Sequence, residues 1–294
     1  MTFSNESSEK QHQPLPSWLK KRAGFHEEVH RMKKNLRGLN LHTVCEEARC
    51  PNMHECWSRG TATIMILGEV CTRHCGFCSV ISGRTGRTDP EEPEKVARMV
   101  EKMGLRHAVI TMVARDDLPD GGASHVAQVI QAVRGKNPAT QIEVLTSDFQ
   151  GETSSLDLVL EARPDIFNHN IETVARLTPQ VRHKANYQRS LLVLDYVKKT
   201  KPKMKTKSGI MLGFGERPEE VMETFSDLRK VGCGLLTIGQ YLRPSLKNLP
   251  VTDYLPPELF EKWGRLAREI GFENVASGPF VRSSYHAEEL NNGI

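Results

Sequence analysis

No apolar run in these 294 residues approaches the roughly 20 needed to cross a bilayer, so the sequence contains no candidate membrane span. The N-terminal stretch MTFSNESSEKQHQPLPSW lacks both the basic start and the apolar core of a secretory signal. Export is therefore not expected, disulfides are not expected, and the compartment is read as cytoplasmic and reducing. A strong charge bias is missing too. The formal net charge of +4 is far from that of a dedicated nucleic-acid binder, and a charged fraction of 26% with 38% hydrophobic residues describes an ordinary globular chain. The one lopsided stretch, KKTKPKMKTK at 198–207, holds six lysines in ten residues and reads as a solvated loop running into a strand, or as a docking patch for an acidic partner.

What is present is an uneven supply of cysteine. Six of the seven cysteines crowd into 34 residues as two triplets, Cys45-Cys50-Cys56 and Cys71-Cys75-Cys78, and Cys233 stands alone between glycines as a small buried residue. In a reducing compartment such clustering points to metal. Neither triplet has a fourth cysteine nearby. Structural zinc takes four protein ligands, for which His42, His54 and His74 are close in sequence. A cubane on three cysteines leaves one iron open to another ligand.

From residue 61 a pattern repeats. TATIMIL, HAVITMV, QIEVLTS, DIFNHNIE, MKTKSGIML and LLTIGQYL read as strands rich in β-branched residues, alternating with helix-like segments near 93–103, 123–134, 154–162, 186–199, 217–231 and 256–270. Such alternation implies parallel strands joined by right-handed crossovers. Six units suggest an α/β fold of the partial TIM-type, a (β/α)6 barrel; a flat doubly wound sheet is the alternative. Either architecture puts active-site residues at the carboxyl ends of strands. CTRHCGFC, ARDDLPDGG, NHNIE, GFGE and GQYLRP all fall there. Upstream, residues 1–24 read as a polar lead-in and HEEVHRMKKNLRGL (26–39) as a helix. On strand four Asn168, Asn170 and Glu172 have period two and share one face. That face points inward, or outward beneath the next helix.

The CX3CX2C spacing, with Phe77 before its last cysteine, resembles the signature of the radical S-adenosylmethionine (SAM) superfamily. With CEEARCPNMHEC ahead of it, and RGTATIMILG, RDDLPDGGA, FNHNIETV, KSGIMLGFGE, TIGQYLRPS and SGPFVRSSYHAEE along the chain, residues 40–289 resemble the lipoyl synthase family. The resemblance implies a 4Fe–4S cluster on Cys71, Cys75 and Cys78 that binds SAM, and an auxiliary 4Fe–4S cluster on Cys45, Cys50, Cys56 and a serine of RSSY, assigned to Ser284 with Ser283 as the fallback. It implies SAM contacts from Asn170, Glu172, Met211 and Gly213, and from Asp117, whose acidic pair with Asp116 suits an amino group. The activity implied is radical insertion of two sulfur atoms at C6 and C8 of a protein-bound octanoyl-lysine. Implied partners are octanoylated lipoyl carrier domains (2-oxoacid dehydrogenase E2 subunits and the glycine cleavage H protein), an electron donor and an iron–sulfur cluster carrier. The implied division is an extension over 1–60, a core over 61–275 and a tail over 276–294 that closes over the site. The sequence departs from the family at Met112 and Ala114, where a serine and an acidic residue are expected.

Overall fold

The computed structural model describes residues 14–20, 33–34, 36–39, 41–47, 50–58, 61–285 and 287–292. Most of the helix expected over 26–39, and most of the polar lead-in, lie outside the described residues. Among the described residues no helix is long and apolar enough to cross a membrane.

One sheet organises the chain. Its strands are β1 (His42–Thr43), β2 (Thr63–Ile66), β5 (His107–Met112), β6 (Gln141–Leu145), β7 (Ile166–Asn168), β8 (Lys205–Leu212), β9 (Leu235–Gln240) and β10 (Asn274–Gly278), and they lie side by side in that order. All neighbours are parallel except β1, which pairs antiparallel with β2 through His42↔Met65 and Thr43↔Ile64. Strand order that follows chain order is single winding; a doubly wound sheet reverses at its centre. The sheet is curled, because residues of β2 and of β9 line the same cavity. Among the described residues it is not closed into a ring: β1 and β10 end the order. A separate two-stranded piece, β3 (Val70–Cys71) with β4 (Ile81–Ser82), brackets the second cysteine triplet.

The six expected strands are all present, as β2 and β5 to β9. β10 is a seventh parallel strand, paired with β9 over Asn274↔Leu235 to Gly278↔Gly239. Its sequence, NVASG, has a single β-branched residue and is mostly half-buried, so neither propensity nor alternation marks it.

The connections are helices because their apolar residues recur at helical spacing. They are α1 (Val44–Glu47), α2 (Met53–Ser58), α3 (Glu92–Met103), α4 (Ala123–Lys136), α5 (Thr153–Glu161), α6 (Thr178–Val181), α7 (Tyr187–Thr200), α8 (Pro218–Lys230), α9 (Pro257–Ile270) and α10 (Ala287–Asn292). In α9, Phe260, Trp263 and Ala267 form the buried stripe. Pro218 and Pro257 open α8 and α9 at the first helical position, where a missing N–H costs nothing. Asn186 caps α7 by accepting from the Arg189 N–H at 3.0 Å. The apolar core fills the space between these helices and the strands, whose central residues are fully buried.

Candidate active site

The loop Cys71–Cys78 leaves the β3 edge and is pinned on three sides. Thr72 donates its N–H and its hydroxyl to Ala114 O, both at 3.0 Å, beyond the end of β5. The Gly76 N–H donates to Val181 O at 2.9 Å, and Gly76 O accepts from the Leu249 N–H at 2.9 Å. Cys78 O accepts from the Asn248 amide at 2.8 Å. Fixed this way, the Cys71, Cys75 and Cys78 thiols face one cavity of about 1400 Å³. All described cysteines are free thiols. Burial pushes the Cys75 thiol up to about 11 and the Cys78 thiol up to about 12, so loading this site with metal must displace protons.

Beneath the loop, Arg73 is a buried fork. It donates to Asp116 at 2.8–2.9 Å and to Asp148, at the end of β6, at 2.6 Å. Burial alone raises the Asp148 carboxyl, but Arg73 outweighs it and holds the group at about 2. Asp117 turns the other way. It accepts two bonds from Arg115 at 2.9 Å and one from Thr85 at 2.7 Å, and does not line the cavity. The acidic pair expected to meet an amino group is thus spent on two arginines.

β7 and the residues that follow it turn their polar side inward. Asn168 donates to Glu143 at 2.8 Å below the cavity floor; Asn170 and Glu172 line the cavity itself. The Asn170 amide donates to Glu172 and to Ser283, both at 3.0 Å, while its Oδ1 is buried with no partner. Burial pushes the Glu172 carboxyl up, against the pull of Arg182. Gly209 sits opposite: a Cβ there would meet Thr237 Oγ1 at 2.7 Å and Asn170 Oδ1 at 2.9 Å, so only glycine keeps this wall open. Met211 lines the cavity. Gly213 does not, since it packs under Gln240 and Asp253.

The first triplet comes from α1, α2 and the turn between them. Cys45 and Cys56 are buried, Cys50 is half-buried, and the three share a cleft with Thr63, Arg282 and Ser284. Burial, then the neighbouring Cys50, pushes the Cys45 thiol up to about 11, against the lowering effect of the Thr63 backbone and the Trp57 indole. The adjacent serines diverge. Ser284 Oγ accepts from Thr63 Oγ1 at 2.7 Å beside the first triplet, whereas Ser283 Oγ accepts from Asn170. Cys45, Cys50 and Ser284 also line the large cavity, so both triplets open into one space.

The donor sets, three thiols in one case and three thiols with a hydroxyl in the other, suit iron–sulfur chemistry. Among the described residues no three His, Cys, Asp or Glu side chains are close enough to share one ion. A cubane distributes its cysteines over separate irons, so that spacing is no obstacle to one. The unpartnered Asn170 Oδ1 offers an acceptor to a polar ligand next to the second triplet.

Sequence reasoning overlooked Arg73, Asp148, Arg182 and Thr63. Asp148 was findable, since TSD follows β6 at its carboxyl end just as ARDDLPDGG follows β5. Met112 and Ala114 both line the cavity and make its wall apolar there. The lysine stretch leads into the opposite, amino end of β8.

A sequence profile of the Radical SAM superfamily matches residues 65–228, and a profile described as the N-terminal domain of lipoyl synthase of the radical SAM family matches residues 3–50. Lipoyl synthase of Rubrobacter xylanophilus is 55% identical over 93% of this chain and 85% of its own length. Lipoyl synthase of Shouchella clausii is 53% identical over 98% of this chain and 94% of its own. Among solved structures, Streptococcus suis SuiB bound to precursor peptide SuiA superposes with a TM-score of 0.59 at 11% identity, over 85% of this chain and 52% of that one. Methylornithine synthase superposes with a TM-score of 0.56 at 14% identity, over 86% and 76%. At such identities the structural likeness speaks for the fold alone.

Proposed function

The chain belongs to the lipoyl synthase family of the radical SAM superfamily, and from that premise we propose that it inserts two sulfur atoms, at C6 and C8, into an octanoyl chain carried on a lysine of a lipoyl carrier domain, in the cytoplasm. Its cofactors are SAM and two 4Fe–4S clusters; when bound, one cluster with SAM supplies the radical that removes hydrogen from an unactivated C–H bond, and the other supplies sulfur. Cys71, Cys75 and Cys78 hold the first of these, and Cys45, Cys50, Cys56 and Ser284 the second. The observation that carries the reading is that both triplets open into one cavity. A single alkyl chain inserted there meets both without leaving the protein.

The chain's own groups bind and orient. Asn170, Glu172 and Met211 line the cavity beside the second triplet and would supply an amide, a carboxyl and a thioether to bound SAM. Thr63 donates to Ser284 Oγ, which orients that oxygen toward the first triplet. Arg73, fixed between Asp116 and Asp148, holds the loop that carries the second triplet. The tail residues Phe280, Val281, Ser283 and Ser284 line the cavity on the side of Cys45 and Cys50 and add wall to it there. Octanoylated E2 subunits and glycine cleavage H protein are the carriers this reading requires, with an electron donor and an iron–sulfur cluster carrier to serve the two centres.

The deciding assay supplies dithionite, SAM and an octanoyl-lysine peptide to the reconstituted protein under anaerobiosis. 5′-Deoxyadenosine and a dithiolated peptide are expected by mass spectrometry. Formation of 5′-deoxyadenosine with an unmodified peptide overturns the proposal. Ser284→Ala is expected to keep SAM cleavage while losing sulfur transfer, and Ser283→Ala to transfer sulfur; the reverse result moves the ligand role to Ser283.

A further inference from the structure

The outer side of the Cys71–Cys78 loop has a composition the reaction just described does not use. The chain carries no acidic residue from Cys71 to Thr88, from Thr173 to Leu194, or from Tyr241 to Thr252. These three segments meet at the loop. Gly76 is hydrogen-bonded to Val181 and Leu249, the His74 N–H donates to His183 Nδ1 at 3.1 Å, and His74 Nδ1 lies 3.1 Å from Ser82 Oγ. On them Arg84, Arg87, Lys184 and Lys247 are exposed and form no ion pair among the described residues. Of the carboxylates flanking these segments, Asp117 is held by Arg115, Asp89 by Lys95 and Asp195 by Lys199, which leaves the exposed Glu69 and Asp253 at the edges. Within this basic collar stand two of the most exposed large apolar side chains described, Ile81 at 58% and Leu246 at 70%. Apolar side chains ringed by unpaired cations are the make-up of a transient docking surface: charge steers the encounter and a small apolar centre seats it.

We propose that this collar is the docking surface for an acidic one-electron carrier protein, which delivers its electron through the backbone of the Cys71–Cys78 loop. The inference rests on the functional reading above, in which that loop holds the group to be reduced. The thiols face the cavity, which the alkyl substrate and SAM occupy, so a donor protein must approach from the other side of the same loop. Each encounter moves one electron: the carrier's cofactor is oxidised by one, the cysteine-held group is reduced by one, and no bond is made or broken at the interface. Four unpaired cations select a partner of opposite sign and accelerate its arrival at low ionic strength.

The test uses flavodoxin, a small acidic flavoprotein, as the probe, and the reconstituted enzyme with Arg84→Glu, Arg87→Glu and Lys184→Glu combined, and separately with Lys247→Glu. Calorimetric titration at low ionic strength is expected to show a flavodoxin Kd at least tenfold weaker for the triple variant, with a flatter salt dependence. Flavodoxin-driven 5′-deoxyadenosine formation at subsaturating carrier falls at least tenfold on the octanoyl-lysine peptide, while dithionite-driven formation is unchanged. Equal flavodoxin affinity in the wild type and both variants overturns the proposal. So does a defect that appears with either reductant but only on a whole lipoyl domain, which assigns the collar to the substrate carrier. If dithionite-reduced wild-type protein thiolates no peptide, the functional reading fails, and the affinity comparison still decides the docking surface.

Discussion

Gly213 shows how a single atom sets the geometry at the end of β8. Its φ of +121° lies in the region that side chains avoid, and a Cβ there would stand 2.3 Å from Gln240 Nε2 and 2.8 Å from Asp253 O. Gln240 cannot step aside cheaply, because its amide donates to Leu212 O, Tyr241 O and Asp253 O at 3.0–3.1 Å while its Oε1 accepts from the Leu255 N–H. Gly213→Ala is therefore expected to destabilise by about 1–3 kcal/mol from strain and overpacking together, read as a lower urea midpoint. A variant as stable as the parent shows that the β8–β9 ends can spread. The resemblance implied a SAM contact at Gly213, but the structure packs this glycine off the cavity. Its neighbour is a side chain of the next strand, and that was not legible: GFGE is equally a ligand cradle or a packing contact until Gln240 is placed beside it.

At the scale of elements, the alternation of β-branched runs and amphipathic segments was enough to find six strands and their helices, since each is long and strongly patterned. It missed β10, and it could not say what fills the gap between the two ends of the sheet. The tail does. After β10, Asn52 donates to Phe280 O at 2.5 Å, Thr63 donates to Ser284 at 2.7 Å, and Tyr285 donates to Glu55 at 2.9 Å. α10 then packs Leu290 against Ile166 and Leu235, and Arg106 pairs with Glu288 at 3.2 Å. The polar contacts all span more than 180 residues and those of Leu290 span 124 and 55, with no local pattern to betray them. A chain truncated after Gly278 is expected to exchange its amide hydrogens faster throughout β1, α1 and α2, while β6 and β8, which do not meet the tail, stay protected, because local stability follows local contacts. Unchanged protection over 42–58 would show that the extension holds itself in place without the tail.

The whole molecule is organised around charges whose burial no local pattern announces. Lys207 closes a run of lysines that reads as solvated, yet it is fully buried, donating to both oxygens of Glu143 at 2.9 and 3.1 Å. His107 Nε2 lies 3.3 Å from the same carboxylate and Asn168 donates to it at 2.8 Å. The four residues come from β5, β6, β7 and β8, so they tie together successive strands below the cavity. Burial alone would raise the Glu143 carboxyl; Lys207 first, then His107, reverse this and hold it at about 2. A depressed carboxylate contributes stability that is fully present above its ordinary value near 4.5 and is lost as pH falls toward 2. Removing the cation inverts the balance. In Lys207→Met the carboxylate is buried without its partner, at an expected cost of about 3–5 kcal/mol at pH 7. With only His107 and Asn168 left to oppose burial, the carboxyl then takes up a proton more readily, so acidification relieves the variant while it weakens the parent. The stability gap between the two, from urea unfolding, is expected to be widest at pH 7 and to narrow by pH 4, and Glu143→Gln combined with Lys207→Met to recover most of it. A gap that is constant with pH means that Lys207 contributes packing alone, and that the curled sheet does not depend on its buried charges.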